Sequence, residues 1–152
     1  MSAPAIAPQP TFARLRDVAW RGLVGRYCDV VSPCTEAPDV FHLGSFIAAV
    51  GCLIGRKVWV CSPHRVYPNF YSLLVGKTAN ARKTTAYQFA IDLFDEAQGL
   101  LYDDHAKKLN GLASPEGLAS AMRYPDSKEP YRILGIEDEF RSLITKRYCK
   151  DV

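Results

Sequence analysis

The sequence has no CxxC pair, no apolar run of bilayer-spanning length, no internal repeat, no low-complexity tract and no strong excess of charge. Each absence removes a class of protein. The five cysteines, Cys28, Cys34, Cys52, Cys61 and Cys149, are odd in number and lack metal-ligand spacing. A disulfide framework and a zinc site are therefore set aside, leaving reduced thiols in a cytoplasmic compartment. The start, MSAPAIAPQP, has neither the basic segment nor the apolar core of a signal peptide. Residues 40–54 are apolar apart from His42, Gly44 and Ser45. They fall short of the roughly 18 to 20 residues that span a bilayer, so a buried helix is expected and no membrane partner. A net charge of +3 permits a polyanionic partner without arguing for one.

What is present is the material of one soluble α/β domain. The 152 residues are 48% hydrophobic, 11% aromatic and 23% charged, enough for a single core. Residues 1–10, with Pro4, Pro8 and Pro10, read as a disordered leader. Residues 11–55 read as a helical segment. Phe12, Leu15, Val18, Ala19, Leu23 and Val24 recur at helical spacing, and after the Ser32-Pro33 break Asp39 caps a second helix that Gly55 stops.

From residue 56 the pattern alternates. Residues 57–61 suit a strand, 62–69 a turn, and 70–75 a strand buried on both faces. Residues 84–101 carry one helical face, made of Ala86, Phe89, Ala90, Leu93, Ala97 and Leu100. Residues 102–110 read as a charged, solvated stretch with room for a short edge strand. Ser114-Pro115-Glu116 opens a helix to about Arg123, residues 131–136 form another buried strand, and residues 140–148 a final amphipathic helix.

The strongest functional signal is VGKTANARKTTA, residues 75–86, between an apolar run and an amphipathic helix. Backbone N–H groups at a helix N-terminus hold phosphate, aided by the helix dipole and one cation. The usual loop is G-x-x-x-x-G-K-[ST]. Here Gly76 is followed by six residues and then Lys83-Thr84, so the loop is one residue longer, and Arg82 stands where the second glycine belongs. Gly76-Lys77-Thr78 also spells GKT, but its loop would consume the preceding run, so Lys83 is the phosphate lysine. A non-glycine residue in a strained loop costs about 1 to 2 kcal/mol. A charged hydrogen bond from Arg82 to phosphate, about 1.5 to 3 kcal/mol, can offset that. The plainer alternative is a basic loop that merely precedes an ordinary helix.

The second signal is ILGIEDEF, residues 133–140, an apolar strand ending in acids. Acids so placed can hold Mg²⁺ and polarise a water. Glu137 is the expected metal carboxylate. Glu139 is the expected base, with Asp138 as its competitor. The plainer alternative is a solvated acidic start to the last helix.

These residues resemble a P-loop ATPase family of phages, plasmids and integrated elements. It was long catalogued as a domain of unknown function, occurs beside primase modules, and is similar to RecA-like replicative helicases. Gly76, Thr78, Arg82 and Lys83 match its phosphate loop; Gly111, Leu112, Ser114, Glu116, Gly117 and Leu118 its middle motif; Glu137, Glu139 and Phe140 its acidic motif. The resemblance covers about residues 40–148. Thr84 stands where the family often has glycine, so Thr84 or Thr85 could supply the magnesium hydroxyl, and Pro115 replaces a small residue.

The resemblance implies a RecA-like core, a partial parallel sheet flanked by helices, over residues 56–152, with an N-terminal helical extension. It implies ATP and Mg²⁺ as cofactors. Nucleotide would be bound by Gly76, Thr78, Asn80, Ala81, Arg82, Lys83, Thr84 and Thr85, metal by Thr84 and Glu137, and catalysis would fall to Glu139 or Asp138. The family's proteins are longer, so further strands, a sensor residue and an arginine finger are expected beyond Val152. DNA and a ring-shaped homo-oligomer belong to that longer parent. This piece alone is expected to bind nucleotide weakly and turn over little.

The rival reading is a non-catalytic α/β module that docks nucleic acid or protein through its basic loop and C-terminal helix. Arg141, Lys146, Arg147 and Lys150 make that helix basic, although a solvated face explains them as well. His42 reads as a packed core histidine, His64 and His105 as loop residues, and Trp20 and Trp59 as core.

Overall fold

The structure, a computed structural model, describes residues 17–76, 82–101, 105–111, 115–123 and 131–138. The leader, the start of the expected first helix and the expected last helix lie outside these residues.

The first described helix does not continue the spacing that begins at Phe12. Residues 17–19 are helical, Arg21 is extended, and Gly22 takes a left-handed φ of 59° before α1 (Gly22–Val31) begins. The interruption breaks the i→i−4 ladder and re-aims the chain. α1 then buries Gly25, Cys28 and Val31, spaced three residues apart on one face. Tyr27 stacks on Phe46 with ring centres 4.5 Å apart, fixing α1 against the next helix.

That helix, α2 (Asp39–Ile54), follows the sequence reading closely. Pro38, with ψ at 136°, occupies the cap position, and Asp39 lies in the first turn as a charge complement to the dipole rather than as the cap. α2 stops at Gly55, whose φ is +56° and whose N–H bonds back to Gly51. With the short 3-10 turn that follows, Asp39–Lys57 is long and apolar enough to cross a membrane. Its inner face is nevertheless filled by protein: Phe46 and Ala49 are buried against neighbouring elements.

Next comes a small antiparallel hairpin, β1 (Val60–Ser62) and β2 (His64–Val66), with Val60 opposite Val66 and Pro63 at the tip. Every residue of both strands is exposed. The strand expected at 57–61 is thus shifted, and the expected turn at 62–69 contains β2 and His64.

Residues 70–75 do not form the buried strand that their apolar run suggests. They make no ladder among the described residues and lie along α2. A Cβ on Gly51 would meet the Pro68 carbonyl, one on Gly44 would meet the Ser72 hydroxyl, and Leu74 packs on Phe41 and Ala86. Tyr71 is 94% exposed and Val75 76%. A continuous apolar run indicates burial but not by what, and here a helix covers one side only.

α3 (Lys83–Leu101) buries Ala86, Ala90 and Phe94, a stripe with a spacing of four. Ala90 and Phe94 meet Ala49 of α2 in the main core. Phe94 is fully buried although the expected face passes it by, and Leu100 of that face is 80% exposed. The core is completed by β3 (Ala106–Asn110) and β4 (Arg132–Ile136), joined through α4 (Pro115–Ala121). The two strands pair in parallel, Ala106 opposite Arg132 and Asn110 opposite Ile136. Ala106 and Leu134 face the two long helices. The stretch expected to be solvated therefore supplies a strand of the core: Lys107 points away from the buried Ala106, and Lys108, on the same face as Ala106 but at its margin, pairs with Asp95 of α3 at 2.5 Å.

Candidate functional site

The parallel pair gives the molecule a polar end. Asn110 and Gly111 close β3, and Glu137 and Asp138 follow β4 directly. Gly111 has φ +75° and donates its N–H to the Ile136 carbonyl at 2.8 Å, so the two strand ends stay in register past the ladder. Ligands of α/β sheets gather at such carboxyl ends.

α3 brings its first two turns to the same end. Tyr87, Gln88 and Ile91 line an open cleft of about 400 Å³ together with Asn110, Glu137 and Asp138. The Tyr87 hydroxyl donates to Oδ1 of Asp138. Its pKa is raised, first by burial and then by the bond to Asp138 and that residue's charge, while the Thr84 hydroxyl, bonding to the same oxygen, opposes the rise. The Tyr87–Asp138 bond thus joins the start of α3 to the strand end. Tyr87 was not among the residues the sequence singled out. Its spacing of three from Thr84, on the helix that follows the loop, was the available signal.

Lys83 opens α3 and its ammonium bonds to the Gly76 carbonyl at 3.5 Å, which brings the two ends of the 76–83 loop together. Arg82 takes a left-handed φ of 44°, the only non-glycine residue to do so among those described. Its guanidinium faces Glu36 at 3.7 Å, both side chains being largely exposed, a pairing worth little in water. Thr84 is exposed toward the cleft's tyrosine, whereas Thr85 is half-buried, so the two candidate hydroxyls are not equivalent.

The structure therefore gathers Thr84, Glu137 and Asp138 at one end of the sheet, with Lys83 and Gly76 adjoining. Thr78, Asn80, Ala81 and Glu139 lie outside the described residues, as do Leu112 and Ser114 of the middle motif. Among the described residues no cluster of three His, Cys, Asp or Glu side chains forms a ready metal cage. Mg²⁺ does not require one: it keeps waters and takes one or two carboxylates, a hydroxyl and substrate phosphate. Of the expected ligands, Glu137 lines the cleft, beside Asp138.

Beneath α3 lies His42, with no solvent exposure, its ring 6.0 Å from that of Phe89. Burial lowers its pKa, against the opposing pull of Asp39 and of the Ala86 backbone. It is a packed neutral imidazole. Trp59, expected in the core, is 47% exposed, with the Arg65 guanidinium 4.9 Å from its ring centre.

Compared with models of protein families, with curated proteins and with solved structures, the chain matches none.

Proposed function

We propose that this chain binds nucleotide as a P-loop ATPase with a RecA-like core, and that ATP hydrolysis is coupled to work on DNA. The observation that carries the reading is the convergence at one sheet end. The start of α3, with Lys83 beside Gly76, faces the same end as the Glu137-Asp138 pair, and the Tyr87–Asp138 hydrogen bond links the two. An α/β unit with a cation at a helix start and acids at a strand end is suited to a phosphate chain and its metal.

In this reading Lys83 contacts the β- and γ-phosphates and the loop amides hold their oxygens. Thr84 and Glu137 are the protein ligands for Mg²⁺, which would neutralise charge developing on the phosphates. Glu139 orients the attacking water, and Asp138, tethered by Tyr87, is its competitor for that role. Arg82 exchanges its weak pairing with Glu36 for phosphate when nucleotide is present.

The test is thermal melting with and without Mg-ATP, on the chain and on Lys83→Ala. An upward shift that the substitution abolishes supports the proposal, since ligand bound only to the native state raises its stability. A wild-type chain that melts at the same temperature in saturating Mg-ATP overturns it.

A further inference from the structure

The hairpin belongs to no part of the nucleotide site, and its surface has a chemistry of its own. From Val40 to Ile91 the chain contains no aspartate or glutamate, yet it carries Arg56, Lys57, Arg65, Lys77, Arg82 and Lys83. Three of those cations flank or lie within the hairpin. Arg56 stacks over the Tyr67 ring at 4.4 Å and Arg65 over the Trp59 ring at 4.9 Å. Both guanidinium groups also act on the hydroxyl of the half-buried Tyr67 and lower its pKa, Arg56 foremost through hydrogen bonding. Two like charges are thus gathered on adjoining aromatic rings, and among the described residues no ion pair joins either to a carboxylate. An anion placed there would relieve their mutual repulsion.

The aromatic component is equally exposed. Trp59 is 47% exposed, Tyr71 94% and Phe70 46%. A purely apolar partner would leave the arginines without counter-charge, and an acidic peptide would leave the flat rings unused. Alternating charge and stackable planes are what a single-stranded polynucleotide presents, phosphates for the guanidinium groups and bases for the rings.

We propose that the surface built by Arg56, Trp59, Arg65 and Tyr67 is a binding site for single-stranded nucleic acid, separate from the phosphate loop. The bases stack on Trp59 and its neighbours, and the arginines hold successive phosphates. The site works whether or not the loop binds ATP.

The test uses the full chain and a fluorescein-labelled 20-nucleotide oligothymidylate. The expected result is salt-dependent binding accompanied by quenching of tryptophan emission. Trp59→Ala lowers affinity about tenfold, the range of one stacked base, and Trp59→Phe restores most of it. Trp59→Ala leaves affinity for an abasic oligomer of equal length unchanged. Arg56→Ala with Arg65→Ala weakens both ligands and flattens the salt dependence. These side chains are exposed, and unchanged melting temperatures establish that the variants are folded.

Four results would each overturn the inference: no binding by the wild-type chain, equal affinity in Trp59→Ala, tighter binding of duplex than of single strand, or displacement of the oligonucleotide by ATP at constant ionic strength. The last would place the strand in the loop. Assembly of the chain into dimers that Trp59→Ala dissolves would assign the surface to a second copy instead.

Discussion

The hydroxyl of Tyr87, one turn into α3, donates to the carboxylate of Asp138 just beyond β4. Fifty-one residues of sequence separate the two. Their contact fixes the helix start against the strand end, and both residues line the cleft. The stability and the chemistry of this end of the molecule are therefore coupled.

Tyr87→Phe keeps the ring and removes the donor. A half-buried hydrogen bond to a charged acceptor is worth about 1 kcal/mol after allowing for solvent. The melting temperature should fall by about 2 to 4 °C for a domain of this size. In the native chain the raised phenol pKa makes the protonated form the stabilised one. Its contribution is complete below the unfolded value near 10 and is lost as pH rises above it, so alkaline melting should be steeper in wild type than in the variant.

Lys83→Ala removes at least one charge-assisted contact to phosphate. The expected loss is about 1.5 to 3 kcal/mol, roughly ten- to a hundredfold in ATP affinity measured by calorimetry. Equal affinity in the two proteins would exclude Lys83 as the phosphate lysine. The melting temperature without nucleotide should barely move, because the lysine's partner is a single carbonyl at 3.5 Å.

His42 should make the fold sensitive to mild acid. Its pKa lies below 6.5 in the folded chain because burial disfavours the charged ring. As pH falls below the unfolded value the unfolded chain takes up the proton first, so stability falls, with a slope of at most about 1.4 kcal/mol per pH unit. His42→Leu should flatten the dependence of denaturant midpoint on pH between about 7 and 5. A slope unchanged in that variant would assign the acid sensitivity to other groups.

Gly55→Ala adds a methyl at a φ of +56°, where it would collide with the Cδ atom of Arg132. The backbone strain alone costs about 1 to 2 kcal/mol. Arg132 yields poorly because its guanidinium donates to the Leu53 carbonyl. A fall of several degrees in melting temperature is expected, whereas Gly99→Ala, within α3 and with nothing for its methyl to meet, should raise it slightly.

The parts of the fold legible in the sequence are those whose pattern is self-contained. α2 and α3 have long periodic faces with clear ends at Gly55 and Lys83, and β4 is a short apolar run followed directly by acids. The positions of Glu137 and Asp138 at the strand end follow from that alone. What escaped was set by partners. Residues 70–75 resemble β4 in composition, yet they lie on α2 without a ladder among the described residues, because a run of apolar residues does not name its neighbour. Ala106 fixed β3 within a charged stretch through one buried side chain. Tyr87 was passed over because its role comes from a residue distant in sequence. Phe94 lay off the chosen helical face because the true stripe steps by four.

Arg132 and the Glu137-Asp138 pair stand at opposite ends of one short strand. The first end is hooked to the last turn of α2, just ahead of the hairpin, and the second is moored to α3 by Tyr87. Five residues of strand span about 16 Å. β4 is therefore a short strut between the hairpin's root and the carboxylates, and a tilt of α2 that pulls on Arg132 is felt at Asp138 as a change in reach toward α3.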